Sequence, residues 1–410
     1  MSNRKEYNLT SKRWTILLGG FLLSLMGGMS YSWGSFVVPL VTEWGWTNTQ
    51  AVLPFTVLII VFAITMIPAG WIQDKIGPRK VATVGSILFL VGYLLSWMLP
   101  WIPVPAWLVF SYGFIVGSAC GLTYSCIAPT ARKWYPDRPG FAVSTGVMGF
   151  GLAAVVFSPF QRMMIDKVGV EGTFLGLSIF VATVALIGAR LMKNPPKDYN
   201  NYYVKNKTTT INVVKDIPPK QFVKTPEFFL LWFALAMVIG GGLTAIGLIP
   251  AYGEIKLSLA PTLAATAISA YALTNGLGRP VVGYLSDRIG TIRIMTFVYV
   301  VQAIVFLILP WVAVNLGLLI ICSLLLGVGY ATTFALFPVL VSSSFGTKYL
   351  GLNYGLVFSA FAIGALTSLI GSKLLDITQS FTPAFLLAGT TTVIGLVLLR
   401  VLNRRLFKHK

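Results

Sequence analysis

Arg279 is the residue whose type and position most clearly indicate chemistry, because it is a charge inside an apolar segment. That segment extends over residues 262–285, and Arg279 lies eight residues before Asp287, which follows its end. A helix rises 1.5 Å per residue, so Arg279 is predicted about 12 Å inside the segment. The planar fork of an arginine can bind both oxygens of a carboxylate. Asn275, one helical turn earlier, can add a donor or hold the guanidinium. We therefore expect an anion-binding site here.

The acidic residues give Arg279 no clear internal partner. None of the 12 Asp and Glu residues falls clearly in the middle of an apolar segment, and Glu43, Glu254 and Asp376 come nearest, each at a segment end. A structural arginine would need such an acid, so we expect Arg279 to face a wet cavity and to bind an external anion. Glu254 is the candidate for binding a coupled proton, although an exposed helix-end acid is its simpler interpretation. The only histidine, His409, lies in the C-terminal tail, so no histidine relay is expected.

Aromatic residues occur at a similar predicted depth in other apolar segments. Each alone is more often a packing residue than a ligand contact. A phenol hydroxyl at that depth needs a partner, and a bound carboxylate would supply one, so Tyr124 and Tyr330 are the stronger candidates. Such walls are apolar and narrow, and they suit a small organic anion better than a sugar. The predicted wall residues are Tyr31, Tyr124, Phe150, Tyr330, Phe334, Phe358 and Phe361.

The elements that must position these residues are membrane-spanning helices. Apolar residues make up 56% of the 410 residues and charged residues only 10%, against roughly 25% charged in soluble domains. Hydrocarbon leaves no water for open backbone groups, which favours helices of about 20 apolar residues. This composition excludes disorder, a disulfide scaffold and a water-soluble enzyme. Twelve spans are predicted at 14–41, 51–72, 80–99, 105–131, 140–163, 173–192, 227–253, 262–285, 292–313, 316–341, 350–375 and 382–402.

The net charge of +19 follows the membrane topology. With the N-terminus in the cytosol, 26 of the 31 Lys and Arg residues flank the cytosolic ends of the spans and four flank the external ends. This is the positive-inside pattern, so we predict a multi-pass protein of the cell (inner) membrane with both termini cytosolic. The same distribution argues against nucleic-acid binding. The first apolar run is too long for a cleavable signal.

No pattern predicts a cofactor or a metal site. The three cysteines, Cys120, Cys126 and Cys322, lie inside apolar segments, where small packing residues are expected. No metal or redox motif is present, and a lone tail histidine cannot complete a hydrolytic triad. An enzyme is therefore disfavoured. A channel would need rings of like residues rather than one arginine, and a sensor that binds without transporting is a further minor alternative.

The chain is predicted to consist of two halves, residues 1–192 and 227–410, joined by a polar cytosolic linker at 193–226 that holds seven lysines. A Gly-x-x-x-Asp-[Lys/Arg]-x-Gly motif occurs in each half with an offset of 213 residues. Its glycines permit close packing and turning, and its Asp can cap a neighbouring helix or pair with Arg. At this cytosolic mouth the predicted gate pairs are Asp74 with Arg79 and Asp287 with Arg288. The motif residues are Gly70, Asp74, Gly77 and Arg79 in the first half and Gly283, Asp287, Arg288 and Gly290 in the second.

The halves differ at the predicted site. The residues 213 positions before Arg279 and Asn275 are Met66 and Phe62. The repeat accounts for the scaffold, and this departure from it marks the site.

The twin motif, the twelve spans and the basic linker resemble the Major Facilitator Superfamily. This resemblance implies an all-α membrane fold with two pseudo-symmetric six-helix bundles around a central cavity, which transports by rocking alternating access. The fold does not name a substrate.

Three local motifs resemble the oxalate:formate antiporter and monocarboxylate transporter group. They are Asn275-Gly-Leu-Gly-Arg279-Pro, Phe334-Ala-Leu-Phe-Pro338, and the loop from residue 132 to 140. By this resemblance Arg279 binds the substrate carboxylate, and Tyr124 and Tyr330 fall at positions similar to the aromatic cavity residues of the group.

Two residues depart from that group. Phe361 stands where oxalate exchangers have a lysine, and Asn275 stands where animal-type monocarboxylate transporters have an Asp. One central cation neutralises one carboxylate, so the expected substrates are small monocarboxylates of the lactate, pyruvate, acetate or formate class. The alternatives are an oxalate/formate-type dicarboxylate antiporter and a carrier of another organic anion class.

Coupling remains open between proton symport and anion exchange. Carrying a bare Arg279 through an occluded state is costly, which favours exchange. Two fused halves favour a functional monomer.

Overall fold

The computed structural model describes residues 2–196, 199 and 216–407, and in these ranges all regular secondary structure is helical. We label the long helices in chain order. Each of the twelve predicted spans falls on one of them, so the all-α prediction is confirmed. The bounds are Arg13–Thr42 (α1), Asn48–Ile76 (α2), Pro78–Trp97 (α3), Pro105–Trp134 (α4), 139–168 (α5), 170–191 (α6), Pro226–Lys256 (α7), Pro261–Ile289 (α8), Thr291–Val312 (α9), Leu316–Phe345 (α10), Leu350–Thr378 (α11) and Thr382–Phe407 (α12).

Ten helices of the described chain are long and apolar enough to cross a membrane. One of them, Pro139–Leu191, contains both α5 and α6, because the chain turns at Gly169 with φ 75° and ψ 175°. Glycine adopts this backbone conformation without steric cost. Helix α8 is not among the ten, since its 29 residues include Asn275, Arg279 and several small polar residues. The helix that carries the candidate site is thus the least typical span by composition.

Glycines bring the two halves into close contact at two seams. Helix α5 packs on α8, where a side chain at Gly283 would clash with the Gly140 carbonyl oxygen. Helix α2 packs on α11, where a side chain at Gly70 would clash with the Gly351 carbonyl oxygen. Any larger residue at these positions would force the helices apart.

Each motif aspartate caps a helix of the opposite half. Asp74 accepts hydrogen bonds from the backbone N–H groups of Gly351 (3.3 Å) and Leu352 (3.1 Å) at the start of α11. Asp287 accepts from Gly140 (2.7 Å) and Phe141 (2.8 Å) at the start of α5. A carboxylate at a helix N-terminus satisfies unpaired N–H groups and complements the helix dipole. We call the face of the helical layer that carries these contacts the motif side; in this conformation its two seams are closed.

The predicted pairs of each motif aspartate with its own loop arginine are not formed. Arg79 donates to the carbonyl oxygen of Arg190 in its own half, and the Arg288 guanidinium lies 4.6 Å from the centre of the Tyr284 ring. The opposite half offers two backbone N–H groups to each carboxylate, and these satisfy two acceptor positions of the carboxylate. Gly77 (φ 91°) and Gly290 (φ 108°) make the turns that aim the two loops.

Most of the predicted linker, 193–226, lies outside the described residues, and its role as a boundary between domains stays a prediction. Its first part lies on the end of α4, where the Trp134 indole donates to the Lys193 carbonyl (2.6 Å) and the Tyr199 hydroxyl donates to the Trp134 carbonyl (2.9 Å). Its last part lies on the turn between α10 and α11. There Asp216 accepts from the N–H groups of Thr347 (2.9 Å) and Lys348 (3.0 Å).

Candidate functional site

Arg279 is completely buried between the two halves, with 0% of its surface exposed. Its Nε donates to the Asn275 carbonyl oxygen (3.1 Å), and Nη2 donates to Asn275 Oδ1 (3.1 Å). Its Nη1 donates to the carbonyl oxygen of Val147 on α5 (2.7 Å), so the guanidinium is bound to the other half of the molecule. The Phe334 ring lies 4.8 Å from the guanidinium carbon, a cation–π contact. Asn275 therefore positions the guanidinium, one of the two roles considered for it from the sequence.

The guanidinium retains free hydrogen-bonding capacity. An arginine has five N–H donors, and the three bonds to Asn275 and Val147 leave one N–H on each terminal nitrogen without a hydrogen bond of normal geometry to the described residues. The buried Tyr124 hydroxyl lies close to Arg279 and Tyr354, but no hydrogen bond of normal geometry satisfies it. Two guanidinium N–H groups and one hydroxyl thus remain available in one buried region.

The seven predicted aromatic residues are brought together around this region. Phe150 lies 5.1 Å from Tyr31 and 5.4 Å from Tyr124 between ring centres, and Phe334 lies 5.0 Å from Tyr330. The Tyr31 and Tyr330 hydroxyls are 3.4 Å apart and link α1 to α10. The second half closes the wall with Phe358 and Phe361, which lie 6.0 and 5.8 Å from Phe334.

The site is closed in this conformation, whereas the sequence predicted a wet cavity. Phe150, Phe334 and Phe358 are each 1% exposed, and Phe361 is 0% exposed. The rings fill the space beside the guanidinium because they reach it from both halves, an arrangement that residue depth alone does not reveal.

Three further residues belong to the wall and were not predicted as binding residues. Phe62 lies 5.6 Å from Phe150 and 5.2 Å from Phe358, between the halves. Tyr271 lies 5.9 Å from Tyr330 and donates to the Gly242 carbonyl (3.1 Å). The third is Tyr354, next to Tyr124. Tyr271 was recognisable, because it precedes Asn275 by four residues and so shares the face of α8 with Arg279.

Glu254 does not join the site. It lies in the last turn of α7, Tyr252–Lys256, at the side opposite the motif side, and its side chain is exposed. Its proposed part in proton coupling remains a prediction that the geometry does not support.

The comparisons with known proteins agree with this architecture. The family model described as Major Facilitator Superfamily matches residues 16–368 and 243–408 of this chain. The chain belongs to the Major Facilitator Superfamily. It is therefore a multi-pass membrane protein and a transporter rather than an enzyme, and the family expected from the sequence is confirmed.

Individual relatives resemble the chain over most of its length. It is 27% identical to the oxalate:formate antiporter of Oxalobacter formigenes, over 95% of this chain and 91% of that protein. It is 28% identical to the uncharacterized MFS-type transporter YhjX of Escherichia coli (strain K12), over 88% and 87%. Among solved structures, the fucose:proton symporter of E. coli superimposes with a TM-score of 0.70 over 95% of this chain and 99% of that one, at 15% identity. That likeness establishes the fold alone.

Proposed function

We propose that this transporter carries small monocarboxylate anions, of the lactate, pyruvate, acetate or formate class, with Arg279 as the residue that binds the carboxylate. The observation that carries the proposal is the buried guanidinium with one unused N–H on each terminal nitrogen, beside the unsatisfied Tyr124 hydroxyl. A carboxylate can accept all three donors, and hydrogen bonds between charged groups are the strongest of those that proteins form.

The number of charges in the site favours one carboxylate. Within the described wall, Arg279 is the only cation, and the second half contributes rings such as Phe358 and Phe361. A second carboxylate would be buried against these rings without a partner, which costs several kcal/mol. A dicarboxylate antiport of the oxalate/formate type is the second candidate, and the likeness to the antiporter of Oxalobacter formigenes supports it.

Transport follows from the cross-half contact of Arg279. The Val147 carbonyl and Asn275 satisfy guanidinium donors but leave its positive charge, so closing the site without an anion remains costly. A bound carboxylate neutralises that charge and allows the halves to rock. We therefore expect anion exchange, or net flux accompanied by a proton. The basic flanks support a cytosolic motif side, cytosolic termini and an inner-membrane location, and the site formed by both halves of one chain supports a functional monomer.

Purified protein in liposomes tests the proposal. Uptake of labelled L-lactate and of labelled formate is measured with and without an inward proton gradient, and with internal unlabelled lactate, formate or oxalate. Uptake that requires an internal monocarboxylate supports exchange, and gradient-driven uptake into empty vesicles supports proton symport. Uptake of labelled oxalate in exchange for internal formate, with lactate neither transported nor competing, would favour the second candidate over the first.

A further inference from the structure

A small cavity lies on the motif side, away from Arg279, at the place where the two halves and the start of the linker meet. Its volume is about 280 Å³, below the roughly 300–1,000 Å³ typical of drug-sized sites. We call it the seam cavity. Its lining comes from the end of α4, from the segment after α6 and from the turn before α11: Lys133, Asn194, Pro195, Pro196, Tyr199, Thr347 and Lys348.

The seam cavity is positively charged. Lys133 is half-buried, Lys348 is exposed, and neither forms an ion pair with any residue that the structure describes. Asp74 acts electrostatically on Lys133 without forming an ion pair with it, so the half-buried ammonium group is only partly compensated. The cavity thus offers two cations, one from each half, to a shared ligand.

Two acids beside the cavity, Asp74 and Asp216, are already engaged. Asp74, which acts electrostatically on Lys133, accepts from the Gln73 amide (2.6 Å) and from the backbone N–H groups at the start of α11. Asp216 accepts the two backbone N–H groups of the turn that carries Lys348. These bonds fix the carboxylates to the backbone rather than to the lysine ammonium groups.

The polar groups of the cavity also suit an oxyanion. Asn194 has its amide oxygen buried in the protein, so its amide N–H groups are the end that can donate to a ligand in the cavity. Lysines act as point charges that bind phosphate oxygens, whereas a planar carboxylate is matched better by an arginine fork.

We propose that the seam cavity binds a phosphate-type oxyanion, which bridges Lys133 of the first half and Lys348 of the second and stabilises the closed motif side. The ligand is either inorganic phosphate or the phosphate of an anionic lipid headgroup. This inference is independent of which substrate Arg279 binds.

The test uses the purified full-length transporter, inorganic phosphate as the probe, and calorimetric titration against chloride at equal ionic strength. Lys133→Gln and Lys348→Gln are each expected to weaken phosphate binding at least about tenfold, the effect of losing one charged hydrogen bond. Lys224→Gln is the matched control, because Lys224 is exposed and lies outside the cavity lining; its binding should stay within about twofold. Two results would overturn the proposal. One is an equal weakening of phosphate binding in all three variants, and the other is phosphate binding no stronger than chloride binding, both in lipid-free protein and in vesicles.

Vesicles with and without phosphatidylglycerol distinguish the two sources. Thermal stabilisation by this lipid that Lys348→Gln abolishes and Lys224→Gln retains would identify the headgroup, even where free phosphate does not bind. Stabilisation by free phosphate alone, with the same dependence on Lys348, would identify the free ion. Arg279→Gln should leave phosphate binding unchanged, so failure of the proposed substrate and failure of this site give different results.

Discussion

Helices α2 and α8 occupy equivalent positions in the two halves, and they agree at their ends but differ in their middles. At the motif side, Asp74 of α2 and Asp287 of α8 make the same contact, each capping a helix of the opposite half. In the middle, α8 carries Arg279 where α2 carries Met66. The comparison shows that the repeated residues build the closure of the motif side, while the residues that break the repeat build the site.

The middle of α2 and the middle of α8 contribute different parts of the same site. Phe62, the counterpart of Asn275, lies against Phe150 and Phe358. Helix α2 thus supplies an apolar wall to a site whose charge comes from α8. A substrate with one charged end and a small apolar body fits such an asymmetric site.

The largest expected effect comes from removing the charge of α8. Arg279→Gln should reduce monocarboxylate uptake by roughly two to three orders of magnitude, because the loss of a buried ion pair costs about 3–5 kcal/mol. Arg279→Lys keeps the charge without the fork and should retain part of the activity. The measurement is initial uptake into liposomes at equal protein content. Full activity in both variants would exclude Arg279 from substrate binding.

Adding a second charge should change the selectivity. In Phe361→Lys, the buried ring is replaced by a cation next to Phe334, the ring that also contacts Arg279, and two cations can neutralise two carboxylates. We expect oxalate uptake to rise relative to formate by about tenfold or more. Phe361→Leu is the control for the lost ring. If Phe361→Lys folds and the ratio of oxalate uptake to formate uptake is unchanged, the number of cations in the site does not set the selectivity.

An acid beside Arg279 should compete with the substrate. Asn275→Asp places a carboxylate where Oδ1 already accepts from Nη2, so we expect the KM to rise about tenfold at neutral pH. Lowering the pH should protonate the new carboxylate and partly restore affinity. Asn275→Leu, which removes the same bond without adding charge, should show no such recovery; a KM for Asn275→Asp equal to that of wild type would contradict the assignment.

Smaller effects are expected at the shared ends of α2 and α8. Asp74→Asn and Asp287→Asn should each weaken the closed motif side by about 1–2 kcal/mol, because each loses a charged cap. The readout is the rate of thiol labelling of Ser342→Cys, a buried position that accepts from Arg132 across the seam. Arg79→Gln is the control, since Arg79 binds within its own half. Faster labelling in only one aspartate variant would show that the two ends are not equivalent.

The smallest effect is expected at Glu254. Because this side chain is exposed, Glu254→Gln should change uptake by less than about twofold, with or without a proton gradient. Loss of gradient-driven uptake while exchange is retained would restore Glu254 as the proton site.

Residue patterns predicted the helices, and they singled out the buried arginine and the aromatic residues that the structure brings together around it, for a physical reason. Hydrocarbon requires long apolar helices, so the spans follow from hydropathy, and the cost of a buried charge singles out Arg279 without any structure. The aromatic wall was predicted because depth along a helix follows from counting residues. From the sequence, Phe62 was identified only as the repeat counterpart of Asn275, and its ring was not predicted to lie on the wall of the same site.

Contacts made by the backbone could not be predicted in the same way. The bond from Arg279 to the Val147 carbonyl and the capping of α11 by Asp74 both depend on where a helix of the opposite half ends or passes. Backbone groups occur at every position, so no residue type marks the ones that are used.

The sequence by itself determined the class of protein, the number of spans and the single charge at their centre, because these depend on hydropathy and on residue spacing within one helix. Only the tertiary structure decided that the guanidinium is held by Asn275 and Val147, that the rings close over it, and that the motif aspartates join the halves. These features arise between helices that are distant in the chain, and their geometry depends on how glycines let those helices approach.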